Sequence, residues 1–177
     1  LTMVPSWNPF SYAIEPHLDT LVAQLRMAKT LVVSTNSLKE MFNLYNENIR
    51  VIPNAYMDGP IPEVMLDTPT YLIHPETKVS EEFVVNYLRD KTVVCWGGSA
   101  THSKDLELIK DPLVQVASEN KDVVFVFIGY CVDSILKLLP TNQVLRVGNT
   151  PFRNYLPLLK HLNCNIGLAP LVDHPFN

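Results

Sequence analysis

The sequence predicts an α/β protein in which strands and helices alternate along the chain. Three observations favour this class: short apolar runs of strand type recur, segments with apolar residues at helical spacing separate them, and glycine or proline follows several of the runs. Strands that alternate with helices imply a parallel sheet covered by its crossover helices. Because open parallel sheets bind ligands beyond the carboxyl ends of their strands, residues there are the first candidates for a functional site.

The first third of the chain contains two pairs of a helix and a strand. Apolar spacing predicts a helix over 14–28, and the apolar run 30–35 predicts a strand. Ser37–Glu40 has the form of a capping box and predicts the start of a second helix. The run Ile49–Ile52 predicts a second strand, which ends at Pro53.

The segment from Asn54 to about Lys78 has a different composition. Five prolines fall between residues 53 and 75, and apolar residues there show little periodicity. This pattern is typical of a connector between domains. Ser80 then predicts the N-cap of a helix that ends near Arg89.

Repeated strand and helix units follow from residue 92. The predicted strands are 92–96, 123–128, 144–147 and 165–169, and the predicted helices are 103–120, 133–139 and 154–162. Asp111–Pro112 predicts a break in the first of these helices. The run Val123–Ile128 is apolar throughout, as expected for a strand buried on both faces of a sheet.

Composition excludes several classes of function. The net charge of -4 gives no general attraction to nucleic acid, and there is no basic stripe. No apolar run approaches the roughly 20 residues that span a bilayer.

The three cysteines, Cys95, Cys131 and Cys164, lie far apart, and we expect them to be buried free thiols in a reducing, cytoplasmic compartment. The chain begins at Leu1 and ends at Asn177 without an initiator methionine, so we expect a fragment.

The segment from Gly97 to Lys104 is the strongest candidate for a binding loop. It joins an apolar strand to a predicted helix through two glycines and several small polar residues. Glycines allow close approach of the backbone, and amides at a helix start favour an anion. The diphosphate of a nucleotide-linked ligand fits this description. A glycine placed after a strand for turn geometry alone gives the same pattern.

Four segments in order resemble glycosyltransferase family 4, whose members have the GT-B fold of two Rossmann-like domains. They are 31–38, the Val51–Ala55 segment, 97–104, and 147–177, which includes Asp173, His174, Phe176 and Asn177. The resemblance implies that residues 1–53 are the end of the acceptor-side domain, that 54–90 are a connector and a helix, and that 91–177 are part of the nucleotide-sugar domain.

The resemblance also implies the activity and its residues. We expect a hexosyltransferase-like enzyme that moves a sugar from a nucleotide diphosphate to an unknown acceptor, with retention and without a bound metal or cofactor. The expected donor-binding residues are Gly97, Gly98, Ser99, His102, Lys104, Asp173, Phe176 and Asn177. The catalytic residues are not identified. The alternative is a non-catalytic α/β module that binds a nucleotide or has a structural role.

Two positions depart from the family pattern. Ser99 stands where an arginine commonly follows the loop glycines, and Asp173 stands about where the first glutamate of a conserved pair is expected. One of the two cationic phosphate contacts of the family is then missing, or is supplied by His102 or by a part of the protein outside this sequence. Lys104 is the other expected cation for the leaving diphosphate, with the amides of Gly98 and Ser99 as fixed dipoles. Since a charged hydrogen bond contributes about 1.5–3 kcal/mol, loss of Lys104 should lower the rate of sugar transfer at least about tenfold.

Overall fold

The computed structural model describes residues 4–55, 67–73 and 76–174. Phe176 and Asn177 therefore lie outside the described residues. The described chain forms two compact units, one made of Val4 and residues 10–55, and the other made of residues 5–9, 67–73 and 76–174. No helix among the described residues is both long enough and apolar enough to cross a membrane.

The first unit is a small βαβ arrangement preceded by helices. Its elements are α1 (Ser11–Ile14), a 3-10 turn (Glu15–His17), α2 (Leu18–Met27), β1 (Leu31–Val33), α3 (Asn36–Phe42) and β2 (Ile49–Val51). Strands β1 and β2 pair in parallel, with Leu31 opposite Ile49 and Val33 opposite Val51. The predicted alternation of helix and strand is therefore confirmed in this part of the chain.

Helix α3 begins two residues earlier than the capping-box pattern predicts, because its N-cap is Thr35 and not Ser37. Thr35 has an extended backbone, and its side-chain oxygen accepts a hydrogen bond from the Leu38 amide at 3.2 Å. Ser37 already lies inside the helix. The N-cap is thus Thr35, because a cap needs an extended backbone and a side chain that reaches an amide of the first turn.

The second unit contains a six-stranded sheet. Its elements are β3 (Tyr71–Ile73), β4 (Thr77–Val79), α4 (Glu81–Leu88), β5 (Thr92–Gly98), a 3-10 turn (Ala100–His102), α5 (Ser103–Leu108), α6 (Lys110–Glu119), β6 (Val123–Gly129), α7 (Asp133–Leu136), a 3-10 turn (Thr141–Gln143), β7 (Val144–Val147), α8 (Phe152–His161) and β8 (Ile166–Gly167). The strand order is β4-β3-β7-β6-β5-β8. Strands β5 to β8 are parallel, and β3 joins β7 in the antiparallel direction.

Part of the predicted connector belongs to this sheet. Strands β3 and β4 pair with each other, and Tyr71 of β3 pairs with Val147 of β7. The sheet of the second unit therefore begins before residue 91, where sequence analysis placed the start of the domain. Strands of only three residues, with prolines beside them in the sequence, show too little periodicity to be recognised from sequence. Ser80 caps α4 as predicted, accepting a hydrogen bond from the Phe83 amide at 3.2 Å.

Helices cover both faces of the six-stranded sheet. On one face Val94, Trp96 and Phe125 pack against residues of α5, α6 and α7. On the other face Val93 and Val126 pack against residues of α4 and α8. Residues Val123–Ile128 are all buried, which confirms the prediction of a strand covered on both sides.

The predicted break in the helix after β5 occurs three residues early. Helix α5 ends at Leu108, Ile109 has a non-helical backbone, and α6 begins at Lys110. Pro112 lies in the first turn of α6. Since the first-turn amides of a helix have no intrahelical partner, a proline there removes no hydrogen bond and does not break the helix.

Two of the three cysteines form a disulfide, so the prediction of free thiols was wrong for them. Cys95 of β5 is bonded to Cys164, which follows α8, across a sequence separation of 69. Only the fold brings these distant residues to a Cα separation of 6.0 Å. Disulfides are typical of oxidising compartments. A cytoplasmic location therefore stays a prediction, and the thiol argument for it no longer holds.

Cleavage of this disulfide should destabilise the second unit. Closing a long loop lowers the entropy of the unfolded chain, and a native disulfide typically contributes about 2–4 kcal/mol. We expect denaturant unfolding to show that the Cys95→Ala/Cys164→Ala variant has a free energy of unfolding lower by about 2–4 kcal/mol. Cys131→Ala is the control, because it leaves the disulfide intact. A thiol assay on the unfolded, unreduced protein should find one reactive thiol. Three reactive thiols would contradict the pairing.

The hydroxyl of Tyr71 has no hydrogen-bond partner among the described residues although the side chain is 2% exposed. Burial, and secondarily the charge of Glu81, raise the pKa of Tyr71 from its ordinary 10.0 to about 12. An unpaired buried hydroxyl costs stability, so Tyr71→Phe should be neutral or stabilising by about 1 kcal/mol at neutral pH.

The same substitution should change the response to alkali. The unfolded chain releases this proton near pH 10.0 and the folded chain near pH 12, so stability falls as pH rises between these values. Tyr71→Phe should flatten that fall in urea unfolding measured across the range. Tyr130→Phe, at a side chain that is 37% exposed, is the control and should retain the fall. If the free energy of unfolding fell equally with pH in both variants, the raised pKa would not belong to Tyr71.

Candidate functional site

The side of the sheet on which successive parallel strands are placed switches at β5. From β5 the next strands, β6 and β7, lie in succession on one side, whereas β8 lies on the other side of β5. The carboxyl ends of β5 and β8 therefore flank the point where the strand order switches. Ligands of open α/β sheets bind outside the carboxyl ends of the strands at such a point.

The loops after β5 and β6 are in close contact at this edge. The Gly98 carbonyl accepts a hydrogen bond from the Tyr130 amide at 2.9 Å. Gly129 has φ +86°, and a Cβ there would lie 2.7 Å from the Gly98 oxygen. Glycine is required at 129 both for its left-handed backbone and for the closeness of the neighbouring loop.

A cavity of about 460 Å³ opens beside the two loops. Its lining consists of Gly97, Gly98, Ile128, Gly129, Asn149, Thr150, Phe152 and Tyr155. These residues come from the carboxyl ends of β5 and β6, the loop after β7, and the first turns of α8. A Cβ on Gly97 would overlap the Tyr155 hydroxyl, so glycine at this position leaves room for the tyrosine. None of the described side chains in this lining carries a formal charge.

A second cavity of about 670 Å³ lies between α8 and the strands β5 and β8. It shares Gly97 and Tyr155 with the first cavity and includes both residues of the disulfide, Cys95 and Cys164. Helix α8 therefore borders both spaces. The disulfide connects the segment that follows α8 to β5, next to the glycine loop.

The polar residues after Gly98 make contacts within their own segment. The Ser99 hydroxyl is hydrogen bonded to the Thr101 hydroxyl at 2.6 Å. The Lys104 ammonium donates to the Glu107 carboxylate at 2.7 Å on the exposed side of α5. Neither Lys104 nor His102 is among the described residues that line the cavity beside Gly97. The charge of Lys104 is partly neutralised by a neighbour on its own helix.

Asp105 is the most buried polar group at this edge, with 1% exposure. One carboxylate oxygen, Oδ2, lies 2.8 Å from Nδ1 of His102. The other oxygen, Oδ1, accepts a hydrogen bond from the Val172 amide at 2.8 Å. Asp105 thus connects the loop after β5 to the loop after β8, and Val172 precedes Asp173.

The N-terminal residues of the second unit also contact the loop after β8. The rings of Trp7 and His174 meet edge to face, with centroids 5.1 Å apart. Asp173 itself is exposed. This contact joins residues that are distant in the sequence, and no periodic pattern around Trp7 predicts it.

The fold brings together some of the predicted donor-binding residues. Gly97 and Gly98 line a cavity, and Asp105 connects His102 to the segment that carries Asp173. Ser99 and Lys104 make local contacts on the same loop and helix. Sequence reasoning missed Asp105, Asn149, Thr150 and Tyr155 as parts of this region. The position of Asn149 and Thr150 directly after a predicted strand was a signal that could have identified them.

Two kinds of chemistry have no observed basis among the described residues. No group of three or more His, Cys, Asp or Glu side chains within residues 4–55, 67–73 and 76–174 could hold a metal ion. Cys131 follows β6 closely, but burial raises the pKa of its thiol to about 12. Because the thiolate is the nucleophile of cysteine, this thiol is unreactive near neutral pH.

The contact between the two glycine loops yields a stability prediction. Gly129→Ala forces a side chain into a left-handed backbone and against the Gly98 carbonyl, so it should cost about 1–3 kcal/mol. Gly167→Ala is the matched control, because a Cβ there meets nothing within 4 Å among the described residues and should change stability by less than about 0.5 kcal/mol. Urea unfolding of both variants checks this. Equal effects would mean that the loop contact is not required.

Comparison of the chain with models of known protein families, with curated proteins and with solved structures found no match.

Proposed function

We propose that the second unit binds a nucleoside diphosphate at the carboxyl edge of its sheet, and that the protein is a glycosyltransferase of the GT-B type. The observation that carries this proposal is the 460 Å³ cavity at the ends of three adjacent parallel strands, beside Gly97 and Gly98. The position agrees with the general location of ligands in open α/β sheets. The ordered motifs that resemble glycosyltransferase family 4 supply the reaction class.

The parts of the proposed ligand match different parts of this edge. The uncharged cavity, with Asn149, Thr150 and the aromatic Phe152 and Tyr155, suits a nucleoside, which needs apolar area and a few hydrogen-bonding groups. The diphosphate then lies toward the loop after Gly98. Backbone amides there and a basic side chain, Lys104 or His102, would stabilise the leaving phosphate.

Transfer with retention and without a metal is part of the same proposal. A glycosyl donor breaks its bond to the diphosphate as positive charge grows on the sugar and negative charge on the phosphate. Fixed dipoles directed at the phosphate stabilise this charge separation. The resemblance implies that no metal takes part, and the acceptor is not identified.

A non-catalytic nucleotide-binding module is the second candidate. It is favoured by the Lys104–Glu107 ion pair and by the absence of a formal charge in the cavity lining among the described residues. Such a module would bind uridine or guanosine diphosphate without consuming nucleotide sugars. Binding by calorimetry, followed by a turnover assay with the corresponding sugar nucleotides, separates the two candidates.

A bulky side chain in the cavity should prevent nucleotide binding. Asn149 is exposed at the carboxyl end of β7, so Asn149→Trp should fill the entrance and weaken nucleoside diphosphate binding by about tenfold or more without disturbing the core. Asn142→Trp is the matched control, since Asn142 is exposed at the amino end of the same strand. Calorimetry with uridine and guanosine diphosphates gives the affinities. Equal binding by both variants would remove this cavity from the proposal.

A further inference from the structure

The carboxylate of Asp105 is buried between two loops that the strand order brings to one edge. It is 1% exposed, and its two oxygens contact His102 Nδ1 and the Val172 amide, each at 2.8 Å. A charge at this depth is tolerated only when hydrogen bonds replace its water. The contacts of Asp105 therefore fix its position, and with it the orientation of any group that it holds.

The imidazole of His102 is the exposed part of this arrangement. Its side chain is 40% exposed, whereas that of Asp105 is 2% exposed. An ionised carboxylate can only accept, so Nδ1 of His102 donates the hydrogen bond and Nε2 is left for a different partner. A carboxylate that holds one ring nitrogen fixes the tautomer and the orientation of the ring.

Only two basic side chains occur in the segment from Gly97 to Asp105, His102 and Lys104. Lys104 pairs with Glu107 at 2.7 Å on the surface of α5. The partner of His102 is instead a buried carboxylate that also holds the loop after β8. Of the two, only His102 is oriented by a group that spans the ends of β5 and β8.

We propose that His102, positioned by Asp105, is the cationic contact for the ligand's diphosphate. The identity of the ligand rests on the proposed function, while the orientation of His102 does not. Protonated His102 donates from Nε2 to a phosphate oxygen, and Asp105 keeps the ring in the required orientation. Asp105 is thus a positioning residue and does not touch the ligand.

The first measurement tests the positioning without any ligand. In Asp105→Asn the amide can keep its oxygen on the Val172 amide but donates from nitrogen to Nδ1, so neutral His102 should carry its proton on Nε2. Long-range proton–nitrogen NMR spectra of the full chain at about pH 8.5 identify the tautomer, because histidine is ordinarily neutral there. Asp122→Asn, at an exposed carboxylate near the amino end of β6, is the matched control. An unchanged tautomer in Asp105→Asn would overturn the inference.

The second measurement tests the contact with phosphate. Calorimetry with uridine diphosphate and with inorganic pyrophosphate should show about tenfold or weaker binding for His102→Gln and for Asp105→Asn, as expected for loss of a charged hydrogen bond. His102→Gln keeps Asp105 in place, so its result stands even where Asp105→Asn fails to fold. Asp122→Asn should bind as the unmodified protein does. A loss confined to Lys104→Ala would overturn the inference and assign the contact to Lys104.

The outcomes separate this inference from the proposed function. Normal binding of uridine diphosphate by His102→Gln leaves the proposed function in place and overturns the inference. Binding of pyrophosphate that depends on His102, with no preference for a nucleotide, supports the inference and contradicts the proposed function. Absence of binding to the unmodified protein by either probe overturns both.

Discussion

The pairing of β5 with β6 is the constraint on which the rest of the second unit depends. These strands run in parallel from Thr92 opposite Val123 to Gly98 opposite Gly129, and their central residues are buried on both faces. A slip of one residue would exchange the side chains that belong to the two cores, so the packing of both cores fixes the register. The same register brings the Gly98 carbonyl to the Tyr130 amide at the carboxyl edge.

The position of β8 completes the candidate site. Helix α8 returns the chain past β6 to the free side of β5, where β8 pairs through two residues. So short a strand makes few ladder hydrogen bonds, and the chain beyond it is held by additional contacts. The Leu168 amide donates to the Cys95 carbonyl at 2.8 Å, and the Val172 amide donates to Asp105 at 2.8 Å. The loop that contains Asp173 is therefore placed by residues of β5 and α5.

The division of charge at this edge is consistent with the proposed ligand. The described residues that line the cavity of about 460 Å³ carry no formal charge, while His102 and Lys104 lie on the segment after Gly98. A nucleoside diphosphate likewise has an uncharged nucleoside, which would face the cavity, and a charged diphosphate, which would face the segment after Gly98. What supports the proposal is this match between ligand and surface, together with the motif resemblance.

The sequence by itself determined the α/β class, the buried central strand 123–128, the Ser80 cap and the position of the glycine loop. These features depend on local periodicity and turn chemistry, which neighbouring residues specify. Only the tertiary structure decided the place of the β3–β4 hairpin in the sheet, the Cys95–Cys164 disulfide and the contact of Asp105 with Val172. The disulfide and the Asp105–Val172 contact join segments that the strand order brings together. The hairpin enters the sheet because β3 pairs with β7. Strand order depends on how whole helices and strands pack, and no local pattern encodes it.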